Sequence, residues 1–251
     1  ERQAAKAFDQ TLFVSEAEAQ EFRLLNPDGR AEVAAMPNGV DLTYFSPDKS
    51  HPDPFAPGGC CLVFTGAMDY WPNIDAVTWF AEQVLPGLRA AGMPAHFYIV
   101  GSRPSRAVRR LARLPHVTVT GRVADVRPFL AHAFAAVAPL RVARGIQNKV
   151  LEAMAMGTPV VASAAACCGI AARPGADLAI AGSAEEWVGE LLSMSEADRS
   201  RLGRAGRCFV ERHHRWDHNL HMLDRWLPPP SATARSETGR TAAELVSLPI
   251  R

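Results

Sequence analysis

The chain has 251 residues, 48% of them hydrophobic and 21% charged, an ordinary globular composition with enough length for one full α/β domain and flanking pieces. A formal net charge of +1 gives no general electrostatic case for a nucleic-acid or anionic-membrane binder, so any anion site has to be local. Five cysteines, the adjacent pairs Cys60-Cys61 and Cys167-Cys168 plus Cys208, fit neither a disulfide framework nor zinc-binding spacing, and no apolar run reaches the roughly 20 residues of a spanning helix; a reducing, cytoplasmic setting is the expectation.

In chain order, a polar helix-like stretch leads from Glu1 into Thr11 to Ser15, which reads as the last strand of a preceding domain in a larger polypeptide. Met36-Pro37-Asn38-Gly39-Val40-Asp41 carries the turn chemistry of a linker. From Cys60 to Ile180, short aliphatic runs alternate with amphipathic stretches, the pattern of a parallel sheet flanked by helices. The predicted strands are Cys61 to Thr65, His96 to Val100, Val117 to Thr120, Ala135 to Ala138, Pro159 to Ala162 and Leu178 to Ile180. After the first of these, Val77, Phe80, Val84 and Leu88 recur at spacings of three and four residues and mark a helix face that covers the sheet. Helices are predicted over Ala184 to Leu192, Glu196 to Arg212 and Trp216 to Leu227, with Ser183 and Ser195 as N-caps. Residues 1–40 read as the tail of an N-terminal domain with its linker, 41–227 as the main domain, and the Pro-, Ser- and Thr-rich stretch 228–251 as disordered.

The run Gly145-Ile146-Gln147-Asn148-Lys149-Val150-Leu151-Glu152-Ala153-Met154-Ala155-Met156-Gly157-Thr158-Pro159-Val160-Val161-Ala162-Ser163 resembles the signature of glycosyltransferase family 4. Pro37-Asn38-Gly39-Val40-Asp41, Phe64-Thr65-Gly66, Ile99-Val100-Gly101 and Val119-Thr120-Gly121 are similar to that family in order and spacing, so the likeness covers roughly residues 10 to 227. Gly66-Ala67-Met68-Asp69-Tyr70-Trp71-Pro72-Asn73 and the run from Ala143 to Lys149 look like a subgroup tied to bacterial exosortase and exopolysaccharide loci. The resemblance implies a Rossmann-like parallel sheet, the C-terminal half of a GT-B fold. It further implies a retaining, metal-independent transfer from a nucleoside-diphosphate sugar, a substrate and not a cofactor, to a glycan or lipid-linked acceptor. The acceptor-binding N-terminal domain would be missing here and this half inactive alone, in a cytoplasmic protein that can lie at the inner membrane face.

Cleaving the bond between an anomeric carbon and a diphosphate develops negative charge, which without a metal must be met by fixed donors and cations. Gly145, Ile146, Gln147 and Asn148 read as a helix N-terminus, which offers backbone N–H groups and a favourable dipole. Lys149 in the first turn can reach a phosphate; Lys149 and Glu152 are equally spaced for an ordinary exposed ion pair. The resemblance implies that Glu152 hydrogen-bonds the donor ribose. Gly66, Gly101 and Gly121 close strands at the end where open α/β sheets bind ligands; the first also suits a plain βα turn. Gly121-Arg122-Val123 would meet the base, with a solvated role for Arg122 equally open. Most family members carry a Glu where this chain has Arg144, and Arg141 and Arg144 are candidates to replace positive charge absent from the loop after Gly66; two ordinary loop arginines are the alternative.

Other readings are blander. His214 and His218 stand at helical chelating spacing but suit a solvated helix entry, Asp217 is a candidate helix cap, and Trp71, Trp79 and Trp187 read as packing residues. No cysteine has a sequence-adjacent activating base. A sugar-nucleotide epimerase and a non-catalytic nucleotide-sugar-binding module remain alternatives.

Overall fold

The computed structural model describes residues 5–27 and 32–227. The expectation of disorder for 228–251 lies outside the described residues. The main sheet has six parallel strands: β3 (Cys60–Thr65), β4 (Ala95–Val100), β5 (Val117–Gly121), β6 (Ala135–Ala138), β7 (Val160–Ala162) and β8 (Ala179–Ile180). Their spatial order is β5-β4-β3-β6-β7-β8, so the chain reverses its direction of travel across the sheet between β3 and β6. Loops leaving two neighbouring strands diverge there and open a crevice at the strands' carboxyl ends. All six predicted strands form.

The segment after β3 shows why helical spacing alone is an incomplete guide. Helix α2 (Trp71–Trp79) passes through a π-helical turn, Phe80–Val84, into α3 (Leu85–Ala90). Pro86 has no N–H to return to the carbonyl of Glu82, and Leu85 N–H bonds to Phe80 O instead, widening the turn. Val77, Phe80, Val84 and Leu88 are all fully buried against the sheet, as their spacing implies. Phe80 packs on Phe97 and Trp187 at centroid distances of 4.7 and 5.5 Å, giving the core its aromatic centre. Trp71 corrects the packing expectation: it is 57% exposed, on the outer side of a first turn whose Pro72 and Asn73 are buried.

Further along the described residues follow α4 (Arg106–Leu111), α5 (Arg127–Ala131), α6 (Asn148–Ala155), α7 (Ala184–Ser193), α8 (Glu196–His213) and α9 (Trp216–Leu220). Ser183 and Ser195 cap α7 and α8, each in a reciprocal capping box. Ser195→Ala should lower stability by about 1 kcal/mol, read as the shift of the urea midpoint at constant slope; an unchanged midpoint would mean that the Ser195 side chain contributes nothing measurable. Beyond Leu220 the predicted helix tightens into a 3₁₀ turn, His221–Arg225, in which a three-residue repeat brings His221 Nδ1 within 3.1 Å of Asp224 Oδ2. Arg215 is the N-cap residue of α9, whereas Asp217 lies inside its first turn, paired with Arg215 and accepting from His218 N–H.

Thr11 to Ser15 is not a last strand. β1 (Gln10–Phe13) pairs in parallel with β2 (Glu32–Ala35), joined by α1 (Glu16–Leu25), and Ser15 accepts from Glu18 N–H as the cap of that helix. The sequence Glu32-Val33-Ala34-Ala35 has one β-branched residue, too weak a signal to mark a strand. The stretch from Pro37 to Val40 is anchored to the end of α8 and to α9. His214 Nδ1 lies 2.8 Å from Asn38 O, Asn219 Nδ2 donates to Pro37 O, and Val40 N–H donates to His214 O.

Candidate functional site

The crevice holds a cavity of about 550 Å³, within the range of small-molecule sites. Gly66 follows β3 and Gly101 follows β4; both have positive φ, +154° and +157°. A Cβ on Gly101 would stand 1.7 Å from the carbonyl oxygen of Gly66, so the two strand ends meet backbone to backbone. This leaves a patch of bare backbone in the wall, flanked by Ala67 and Ser102. Opposite it, α6 begins at Asn148 with its first N–H groups turned to the crevice end of the sheet, and Asn148 Oδ1 accepts from Asn38 Nδ2 at 2.9 Å. Tyr44 and Phe45 complete the lining from the stretch ahead of β3.

Lys149 and Glu152 project into this cavity from the first turns of α6. They are not the exposed ion pair their spacing also allowed. Among the described residues, neither belongs to a salt bridge within 4.0 Å, and both side chains are largely buried. Lys149 Nζ instead donates to Asn73 Oδ1 at 2.5 Å and stands 4.4 Å over the ring of Phe64. Burial pushes the Lys149 ammonium down to about 8, a shift opposed by the Glu152 carboxylate; burial likewise pushes Glu152 above the usual carboxylate range, opposed by Lys149. A cation without a carboxylate within 4.0 Å and a carboxyl without a side-chain hydrogen bond, both among the described residues, face the same space. Asp125, on the far side, is held below the usual carboxylate range by the Arg127 guanidinium, which also stacks on Tyr44 at 3.8 Å.

Eight of the residues singled out from sequence line the cavity: Gly66, Gly101, Arg122, Val123, Ile146, Asn148, Lys149 and Glu152. Gly121 lies just behind, its carbonyl accepting from Gly101 N–H at 3.2 Å. Gln147 is the N-cap residue of α6 and turns its Nε2 back to Arg144 O. Arg141 lies outside the cavity, paired with Asp75. Arg144 and Gly145 line a separate depression of about 360 Å³ together with Glu18 and Cys168. Sequence reasoning missed Asn73, Tyr44, Ser102 and Asp125 as lining residues. Asn73 alone left a trace, a polar residue within an otherwise apolar first turn, Trp71-Pro72-Asn73-Ile74; it is 4% exposed, and its Nδ2 donates to Ala67 O. Elsewhere, burial holds the thiols of Cys61 and Cys167 up at about 11 and about 12, well away from thiolate reactivity. No described helix is long and apolar enough to cross a membrane.

A family model described as "Glycosyl transferases group 1" matches residues 59–196. No curated protein matches the chain by sequence. Among solved structures, it is similar to HepE of Anabaena in complex with UDP and glucose, with a TM-score of 0.68 and 15% identity over 89% of this chain and 64% of that one. A glycosyltransferase of Rickettsia africae gives a TM-score of 0.71 and 14% identity over 89% and 65% of the two chains. A sucrose-phosphate synthase of Thermosynechococcus elongatus gives 0.67 and 18% over 89% and 59%. At these identities the likeness is one of fold, and the chain spans less than two thirds of the length of each of the three.

Proposed function

This chain belongs to the group 1 glycosyl transferases, and from that premise we propose that it is the donor-binding part of a retaining, metal-independent enzyme that moves a sugar from a nucleoside diphosphate to a glycan or lipid-linked acceptor in exopolysaccharide synthesis. The observation that carries the reading is the pairing of one buried, under-compensated cation with a helix N-terminus across from a patch of bare backbone. A diphosphate suits that space: its oxygens would face Lys149 and the first N–H groups of α6, and negative charge developing as the anomeric C–O bond breaks would meet donors already in place. Glu152, deeper along the same helix, is suited to accept from the ribose hydroxyls, and Arg122 with Val123 to border the base.

Transfer needs an acceptor held against the donor, and this reading gives that task to a further part of the enzyme. Donor binding is therefore the test. HepE was solved with UDP, which makes UDP the first nucleotide to titrate by calorimetry, with GDP and ADP beside it. One of them should bind selectively, and Glu152→Ala should weaken that binding roughly 10- to 100-fold, the worth of a hydrogen bond to a charged acceptor. Equal affinity in the variant would remove Glu152 from the site.

A further inference from the structure

A surface that the donor reading leaves unused runs down α4. Arg106, Arg109 and Arg110 stand on α4 and Arg113 in the turn that follows it, its N–H donating to Arg110 O; all four are exposed, while Val108 and Leu111 on the helix are buried. Among the described residues none of the four has a carboxylate within 4.0 Å, in a chain whose formal net charge is only +1. Helix stability accounts for only part of the stripe: Arg109 and Arg110 stand in the last turn, where the dipole favours a cation, but the rest of the pattern works against the helix. Arg106 stands in the first turn, at the wrong end of the helix dipole; no acidic residue occupies that turn; and like charges three and four residues apart repel.

The upper end of this stripe adjoins two exposed aromatic residues. Met68 N–H donates to Ser102 O and Ser105 N–H to Met68 O, stitching the loop after β3 to the loop that leads into α4. A salt bridge from Arg103 to Asp69, 2.7 Å, crosses the same seam. Tyr70 and Trp71, 55% and 57% exposed, thus stand at the rim between cavity-lining Ala67 and Asn73, next to the head of the arginine stripe. Unpaired cations bordered by an indole and a phenol are the composition of a surface that rests on lipid headgroups, with guanidinium groups at the phosphates and amphipathic rings at the boundary.

We propose that the outer face of α4 and the turn that follows it, with Tyr70 and Trp71 at the upper end, docks on an anionic phospholipid bilayer and holds the mouth of the crevice beside the headgroups. Bases to be stacked and read would call for aromatic residues interleaved with the cations, whereas here both rings are gathered at one end. A lipid surface asks only for density of charge and an amphipathic edge.

The intact chain should sediment with vesicles of phosphatidylcholine containing one third phosphatidylglycerol, but not with phosphatidylcholine alone, and high salt should release it. Each arginine neutralised should cost about fivefold in partitioning, so the quadruple Arg→Gln variant at 106, 109, 110 and 113 should no longer sediment, while the quadruple Arg→Lys variant still does. Trp71→Ala should weaken binding without abolishing it. Sedimentation of the folded Gln variant equal to that of the original chain would overturn the proposal, as would failure of the original chain to bind anionic vesicles, or tighter binding to a single-stranded RNA homopolymer than to vesicles. UDP affinity should be the same in every arginine variant, so a failed donor reading and a failed membrane reading give separate results.

Discussion

Gly101→Ala should destabilise the protein by roughly 4 kcal/mol, the largest loss expected from adding a single methyl group to this fold. The new Cβ would lie 1.7 Å from the Gly66 carbonyl oxygen, half the 3.4 Å at which ordinary contacts begin, and the obstacle is backbone. A flexible side chain could swing aside; here two strand ends have to part. Gly66 N–H donates to Val100 O and Gly101 N–H to Gly121 O, so parting them loosens three neighbouring strand ends together. Gly92 offers the control. Its φ is +87°, equally unsuited to an L side chain, but no atom lies within 4 Å of the place a Cβ would take there, so Gly92→Ala should cost only about 1 kcal/mol of backbone strain. Urea titrations followed by circular dichroism measure both. If the two variants lose the same stability, the close approach of Gly66 and Gly101 is not what makes Gly101 necessary. If Gly101→Ala is much the worse, donor binding should vanish with it, because the same contact forms the bare patch of the cavity wall.

How much of this was legible beforehand follows the range of the interactions. The parallel sheet was legible because each strand is a continuous aliphatic run, as Leu62, Val63 and Phe64 illustrate, and burial on both faces demands that. The caps Ser183 and Ser195 were legible because a capping box lies within four residues. β2 was not, since its pairing with β1 spans 22 residues and its own residues carry little strand preference. The site divides in the same way. Gly66, Lys149 and Glu152 belong to local strand-turn-helix patterns, whereas Asn73 reaches Lys149 across 76 residues and Tyr44 meets Asp125 across 81. Arg141 shows the limit from the other side: its charge was legible in the sequence, but its pairing with Asp75, 66 residues away, was not.

Lys149→Met should make the protein more stable and the proposed donor site useless, and opposite signs are what separate a binding residue from a structural one. The Lys149 ammonium is held at about 8 by burial, below the 10.5 of an unhindered lysine. A folded-state value below the unfolded one means that the charged form is disfavoured in the fold. The cost is present in full below about pH 8 and is relieved as pH rises toward the unfolded value. Methionine removes that cost, at the expense of leaving Asn73 Oδ1 without its donor, for a net gain of about 1 to 2 kcal/mol near neutral pH. Calorimetry should show the reverse for the nucleotide, a loss of roughly 100-fold as the diphosphate gives up its charge-assisted hydrogen bond. Affinity in the original chain should hold steady up to about pH 8 and then weaken by up to tenfold per pH unit, because binding an anion there must first draw a proton onto Lys149. The methionine variant has no proton to draw, and its weak residual binding should not follow that slope. A variant that is both less stable and unchanged in affinity would return Lys149 to the core, as a lysine kept for its contacts with Asn73 and Phe64.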